Sequence, residues 1–323
     1  MIQQATFPHL NLLLDEAGGG ARGRVLSRLG EYVGQIVGPL NMRPTGAALV
    51  LADDERVEAR VSTAGRHVLV AIAVEGDLAG EVFFLRSLAL KHLPAPRLIA
   101  HDLTCGQVPF SWVVLSHVAG APLSAVADGA LLRLAARQVG RALRRAHQIG
   151  APGFGRPQTT GRWPVRGWRE ALGGWLGRRE ARARAQQALG EERAAALWAA
   201  TIEHTAIACE EPCVLHGAVG PERALVTGAD NSIQLEALVR PGEVVAGDPL
   251  FDLAHGLLPG HPEPFRRGLM EGYLATGALT EEQADRLARL RLMLVAADTL
   301  HRGDSLALAA LPAAVDAGLA ALA

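Results

Sequence analysis

Four residues in the second half of the chain carry side chains suited to acid–base work: His216, Glu236, Asp248 and Arg223. Brought together in one cleft, a histidine and two carboxylates could move protons while the arginine anchors an anion. Cys209, Cys213 and His216 form a C-x3-C-x2-H spacing with the softness of zinc ligands, but no fourth ligand follows at a standard interval. Two reduced thiols are the plainer reading. Other chemistries find no support: no G-x-S-x-G marks a hydrolase nucleophile, and no G-x-G-x-x-G follows a strand to cradle a dinucleotide. The segment ADDERVEARV sets Asp53, Asp54 and Glu55 in a row without a glycine, where a phosphate would be repelled rather than held by backbone. His255, His261 and His301 read as packing or surface histidines. Trp163, Trp168 and Trp175 could line a pocket, although packing between helices is their more ordinary role.

Composition narrows the classes further. A chain of 323 residues exceeds the usual single-domain length, so two packed lobes or one large one are expected, with 49% hydrophobic residues to build the core. A formal net charge of −1 leaves no surplus cation for a phosphate backbone, which argues against nucleic acid as a partner. The opening stretch has no basic leader, and no uninterrupted apolar run suggests a membrane span, so a cytoplasmic protein with no membrane partner is expected. Basic residues are almost all arginine: Lys91 is the single lysine, and asparagine occurs only as Asn11, Asn41 and Asn231. This scarcity allows functional lysines and asparagines to be excluded by elimination.

These residues need elements to position them. From about Thr45 to Ile72 the runs AALVLA, RVEARVS and RHVLVAIAV, separated by turn formers, predict an antiparallel meander. Leu78 to Leu90 has helical spacing and is stopped by LPAP, and RLIAHD and FSWVVLSHV predict two more strands. After Ala119-Gly120-Ala121-Pro122 helices dominate: Asp128 to Gln148, Trp168 to Leu189 and Glu191 to His204. Strand-like runs return between 213 and 254 (CVLHG, RALVTG, SIQLEALV), and helix follows to the end. The expected division is an α+β chain with a sheet lobe at 1–115, a hinge at 116–120 and a helical lobe at 121–323. The first 40 residues could pack on either lobe.

The order of these elements, with specific motifs, resembles the aminoglycoside phosphotransferase and choline kinase family, whose fold is two-lobed and protein-kinase-like. VLHGAVGPERALV at 214–226 is similar to the family's catalytic loop HGDLHPGNVLV, and GDPLFDLA at 247–254 is similar to its GDPxxDLA segment. LAGEVFFLRSLALKHLPAPRLIAHD, the hinge WVVLSHVAGAPL and RALRRAHQIGAPGFGR add further matches, in the family's order, over roughly Arg66 to Ala254.

The resemblance implies ATP and Mg²⁺ as cofactors and phosphoryl transfer by positioning and charge, yet the residues for that work are replaced here. The strand-three lysine falls at Val70 or Ala71, the catalytic aspartate at Ala218 and the metal-binding asparagine at Arg223. Asn231, the nearest other asparagine, sits in a turn. The second metal ligand aligns with Glu236, or with Gln234 in another register, so Glu236 is the metal ligand if there is one. Glu81 matches the helix glutamate that pairs with the absent lysine, and Leu115 and His117 match nucleotide-facing hinge positions. Arg60 or Arg66 could supply charge in the lysine's stead. His216, Gly217, Gly247, Asp248, Pro249 and Asp252 look retained, with Asp252 bracing the loop through a His216 to Asp252 hydrogen bond.

Scaffold without chemistry suggests a pseudokinase that holds a small molecule or protein partner in the inter-lobe cleft. An active small-molecule kinase with relocated residues, using Glu236 and Asp248 on metal, is the alternative, and only it would need ATP and Mg²⁺. A third is a non-kinase enzyme that reuses the cleft with the acid–base cluster of His216, Glu236, Asp248 and Arg223.

Overall fold

The structure is a computed structural model that describes residues 6–12, 19–229 and 232–322. The chain divides into two compact units. The first comprises residues 1–89, 96–118 and 159–161, and the second comprises 90–95, 119–158 and 162–323.

The first unit opens with helices α1 (Gly20–Leu26) and α2 (Leu29–Val37). Five antiparallel strands follow: β1 (Pro44–Ala52), β2 (Arg56–Thr63), β3 (Arg66–Ala73), β4 (Leu98–Asp102) and β5 (Trp112–Ser116), in the order β1-β2-β3-β5-β4. Helix α3 (Ala79–Leu90) is inserted between β3 and β4. Alternation along the strands decides what each face carries. Val57, Ala59 and Val61 of β2 and Val68, Val70 and Ile72 of β3 pack on one face with Val25, Leu29, Val33 and Ile36 of α1 and α2. The segment preceding the meander thus covers the sheet of this unit, which the sequence left open. Arg56, Glu58 and Ala71 fall on the opposite face, because Glu58 pairs directly across from Ala71.

The second unit is mainly helical: α4 (Gly129–Ala146), α5 (Trp168–Arg178), α6 (Ala181–Leu189), α7 (Glu191–Ala200), α8 (Leu250–Gly256), α9 (Glu263–Leu274), α10 (Glu281–Arg302) and α11 (Ser305–Leu322). Asp128 caps α4, accepting hydrogen bonds from the N–H groups of Ala130 and Leu131. The single helix expected over Trp168 to Leu189 is two, α5 and α6, divided where Glu180 adopts a left-handed conformation (φ 50°). Short strands β6 (Ala121–Pro122), β7 (Cys213–Val214) and β10 (Ala246–Gly247) and the hairpin β8 (Ala224–Ala229) and β9 (Ser232–Leu238) lie among the helices. Trp168 and Trp175 are buried edge-on against Phe251 of α8, at ring separations of 5.5 and 5.8 Å, so both build the core.

Helix α11 is long and apolar enough to cross a membrane by length and composition, with Pro312 and Asp316 inside it. Here Leu311 and Val315 are buried in the core of the second unit, and Asp316 pairs with Arg193 of α7 at 2.7 Å.

Candidate functional site

The segment that follows β7 forms the centre of the site. Gly217 has φ 74°, and a Cβ there would stand 2.0 Å from the Val244 carbonyl oxygen, so only glycine lets the loop turn against the 242–244 backbone. The Gly242 N–H donates to the His216 carbonyl at 2.7 Å. From below, the fully buried Asp252 of α8 accepts from the backbone N–H of His216 (Oδ2, 2.7 Å) and of Gly217 (Oδ1, 2.7 Å).

The predicted His216 to Asp252 bond therefore exists through the backbone, and the imidazole partner is a different histidine. His147, at the end of α4, donates from Nε2 to Asp252 Oδ2 at 3.0 Å, and its Nδ1 accepts from the Tyr273 hydroxyl at 2.9 Å. The His216 ring turns away and donates from Nε2 to the Val239 carbonyl at 3.1 Å. The reason is geometric: both Asp252 oxygens are taken by two backbone donors and one ring. Burial disfavours the charged form of Asp252, yet the His147 hydrogen bond and charge, with those of the His216 segment, outweigh it and hold the carboxyl below its usual range. Burial also lowers His216 to about 4, against the pull of Asp252 and with the help of Arg223 and Arg240, so its ring is neutral at pH 7. His147 carried a signal in the sequence, as the histidine that ends RALRRAHQIG, but its role in bracing was assigned to His216.

Ala218 follows Gly217, so no carboxylate stands at that point of the loop. Arg223 directly precedes β8, and the hairpin register decides what faces it. Ala224 pairs with Leu238, which brings Val239 and Arg240 opposite Arg223. The Val239 N–H donates to the Arg223 carbonyl at 3.0 Å, and Arg223 Nη1 donates to the Arg240 carbonyl at 2.5 Å. Arg240 Nη2 donates in return to the Glu222 carbonyl at 2.7 Å.

Glu236, expected as the metal ligand if there is one, lies inside β9, where its Oε1 accepts from the Thr227 hydroxyl at 2.5 Å. Gln234 lies in the same strand, while Asn231 falls outside the described residues. The hairpin carries a bulge at Leu225/Val226, and Arg240 follows β9 opposite Arg223.

Asp248 also stands apart from this group. It is buried, accepts from the Leu250 N–H at the start of α8, and pairs with Arg286 of α10 at 3.1 Å. With Cys209, Tyr273 and Arg286 it lines a separate cavity of about 660 Å³. His216, Glu236, Asp248 and Arg223 are therefore not one acid–base cluster: each of the two carboxylates is bonded to its own partner.

Cys213 is buried and donates its thiol to the Gly247 carbonyl, and burial raises Cys209 to about 12, so both are thiols at neutral pH. Among the described residues no group of three or more His, Cys, Asp or Glu side chains is arranged to hold a metal ion. The residues present do not fit Mg²⁺. Arg223, a cation, stands where the resemblance implies one oxygen ligand, and Glu236, the other candidate, is already bonded to the Thr227 hydroxyl.

In the first unit, the glutamate of α3 has a cation partner that the sequence reading missed. Arg56 Nη2 donates to Glu81 Oε2 at 2.6 Å, and its Nε lies 3.1 Å from Glu58 Oε1. All three side chains are buried. Burial works against the guanidinium, but the attraction of Glu81 and Glu58 outweighs it and raises its pKa. Neither Arg60 nor Arg66 serves, since Arg60 is exposed in mid-strand and Arg66 lies at the far end of β3. Ala71 shares the sheet face of Arg56 and Glu58, whereas Val70 faces the core. Alternation along β2 held the only clue to Arg56. Asp53 Oδ1 accepts from the N–H groups of Glu55 and Arg56, so the acidic β1–β2 turn is closed by its own side chain. Leu115 is buried in β5, and His117 is exposed and stacks edge-on with His67 at 5.7 Å.

The sequence model of the phosphotransferase enzyme family matches residues 52–292. No curated protein matches the sequence. Among solved structures, the chain is similar to aminoglycoside phosphotransferase APH(4)-Ia, with a TM-score of 0.60 and 16% identity over 91% of this chain and 99% of that one. It is similar to macrolide 2'-phosphotransferase MphH from Brachybacterium faecium, with a TM-score of 0.57 and 16% identity over 87% and 96%. A third likeness is to the GDP complex of an aminoglycoside 2'-phosphotransferase-IIIa mutant, with a TM-score of 0.61 and 14% identity over 90% and 97%. At these identities the likeness carries the fold, a small antiparallel sheet with one inserted helix and a mainly helical partner.

Proposed function

The chain belongs to the phosphotransferase enzyme family, and from that premise we propose that it is a member that binds without transferring phosphate, a pseudokinase whose ligand is a small molecule or a protein partner. One observation carries the reading: in the loop that resembles the family's catalytic loop, Ala218 offers no carboxylate, and Arg223, at the position of the family's metal-binding asparagine, is a cation that faces a second arginine, Arg240, across the hairpin. Phosphoryl transfer needs a carboxylate to orient the attacking hydroxyl and a divalent cation to neutralise the developing charge. Ala218 supplies no such carboxylate, and the adjacent acid in the loop, Glu222, is exposed and pairs with Arg223 at 3.8 Å.

A second reading, an active phosphotransferase with relocated residues, draws on the Arg56 to Glu81 pair, which keeps a cation on the helix glutamate. Against it, Arg56 is enclosed by two carboxylates and has little surface to offer a phosphate. The test is transfer from γ-labelled ATP, with Mg²⁺ and with Mn²⁺, to water and to a panel of hydroxyl compounds that includes aminoglycosides and macrolides. The expected result is no release or transfer above a protein-free control. Metal-dependent turnover that survives repurification and disappears in Arg56→Met would establish the second reading in its place.

A further inference from the structure

We propose that the Arg223–Arg240 pair is an anion site that takes the phosphate groups of a small molecule directly, with no metal between. The inference rests on the reading above and names the ligand chemistry of the same loop.

Arg223 leads into β8 and Arg240 follows β9, so the two ends of one hairpin deliver them to the same place. Each side chain donates to the other arm's backbone, Arg223 to the Arg240 carbonyl and Arg240 to the Glu222 carbonyl. Such crossed bonds hold both guanidiniums before any ligand arrives, which removes part of the ordering cost of binding. Both residues are half-buried, where charge acts with less screening than at an open surface. The adjacent acid, Glu222, pairs with Arg223 at 3.8 Å and is itself exposed to solvent, which screens its charge.

A second observation is conformational. Arg240 has φ 52°, a left-handed backbone that costs a non-glycine residue energy and persists only where the surroundings impose it. At this turn the Arg240 side chain returns to the Glu222 carbonyl. The field is felt nearby: both arginines act to keep the buried His216 ring uncharged. Planar guanidiniums match phosphate oxygens in pairs, which an ammonium cannot do. Together the two arginines bring positive charge to the base of one hairpin.

The experiment is calorimetric titration of the full chain with sodium pyrophosphate in EDTA, then with excess MgCl₂, and with ADP in EDTA. Pyrophosphate is expected to bind in EDTA, more weakly as salt rises and more weakly when Mg²⁺ occupies its oxygens. Arg240→Met should weaken it at least tenfold, whereas Arg166→Met, an exposed arginine elsewhere, should not. Should Arg240→Met fail to fold, wild-type protein treated with phenylglyoxal supplies the same answer: pyrophosphate should shield Arg223 and Arg240 from modification and leave Arg166 reactive. Equal affinity for ADP and pyrophosphate assigns recognition to the phosphates alone, and tighter ADP binding identifies a nucleotide as the source of the anion. Absence of binding in EDTA, or binding that requires Mg²⁺, overturns the anion site. In the first case the non-catalytic reading stands, because the turnover assay decides it separately.

Discussion

At the scale of single residues, the buried Arg56 sits between Glu58 and Glu81 with a side-chain exposure of only 7%. Removing the cation leaves two carboxylates in a low-dielectric face with nothing to pair them. Arg56→Met is expected to cost about 3–5 kcal/mol, read as a lower urea midpoint with an unchanged slope. Replacing the acids as well, in Arg56→Met/Glu58→Leu/Glu81→Leu, should recover most of that loss. If the single variant were as stable as the parent, the triad would be a solvated pair and not a lock. The difference matters for function too, since a lock of this kind leaves Arg56 committed to the sheet.

Among the elements, α4 and α9 make the closest approach in the second unit. A Cβ on Gly140 would stand 2.2 Å from the Leu269 carbonyl oxygen, one on Gly268 2.3 Å from that of Arg133, and one on Gly272 2.0 Å from that of Arg137. Glycines on both helices let backbone meet backbone, and α4 in turn ends at His147, whose ring braces Asp252 under the loop. A side chain at this crossing must push the helices apart. Gly272→Val is expected to destabilise by about 1–3 kcal/mol or more through overpacking, measured by thermal unfolding. Heteronuclear NMR should then show the His147 and Tyr273 ring signals shifting together; a stability loss with those signals unmoved would place the strain away from the brace.

Across the whole molecule, stability should depend on pH through buried histidines. Burial lowers His216 to about 4 and His255 to about 3. An unfolded histidine takes up its proton near pH 6.5, so as the pH falls below that value the unfolded chain binds protons that the folded chain refuses. The contribution is complete above about pH 6.5 and is lost steadily down to the folded values. Two such groups give a loss of about 3 kcal/mol between pH 7.5 and 5.5, measured as the urea midpoint across that range. His255→Phe, which keeps the ring packed on Phe251 at 4.7 Å, should flatten the slope by about half. A midpoint that does not move between pH 7.5 and 5.5 would mean that the folded protein protonates these rings. Asp252 acts at lower pH: its depressed carboxyl contributes above about 3.8, its ordinary value, and loses that contribution as pH falls through the folded value.

Sequence alone determined the elements, their order and the residue types that stand at the motif positions resembling the family's, because periodicity, turn formers and residue identity are local properties. It also pointed to Asp252 beneath the loop at His216. Partner choice was not legible in it. Glu236 had been read as the metal ligand, and only strand pairing showed that Arg240 is what stands opposite Arg223. The imidazole on Asp252 came from His147, more than a hundred residues away in sequence, and the cation on Glu81 came from Arg56 on the neighbouring strand rather than from Arg60 or Arg66. Asp248, which had been grouped with the loop, went to Arg286. In each case the deciding quantity is which side chains share a face or an open oxygen once strands are registered and helices packed, and that is settled by tertiary structure because such contacts join residues that sequence spacing does not relate.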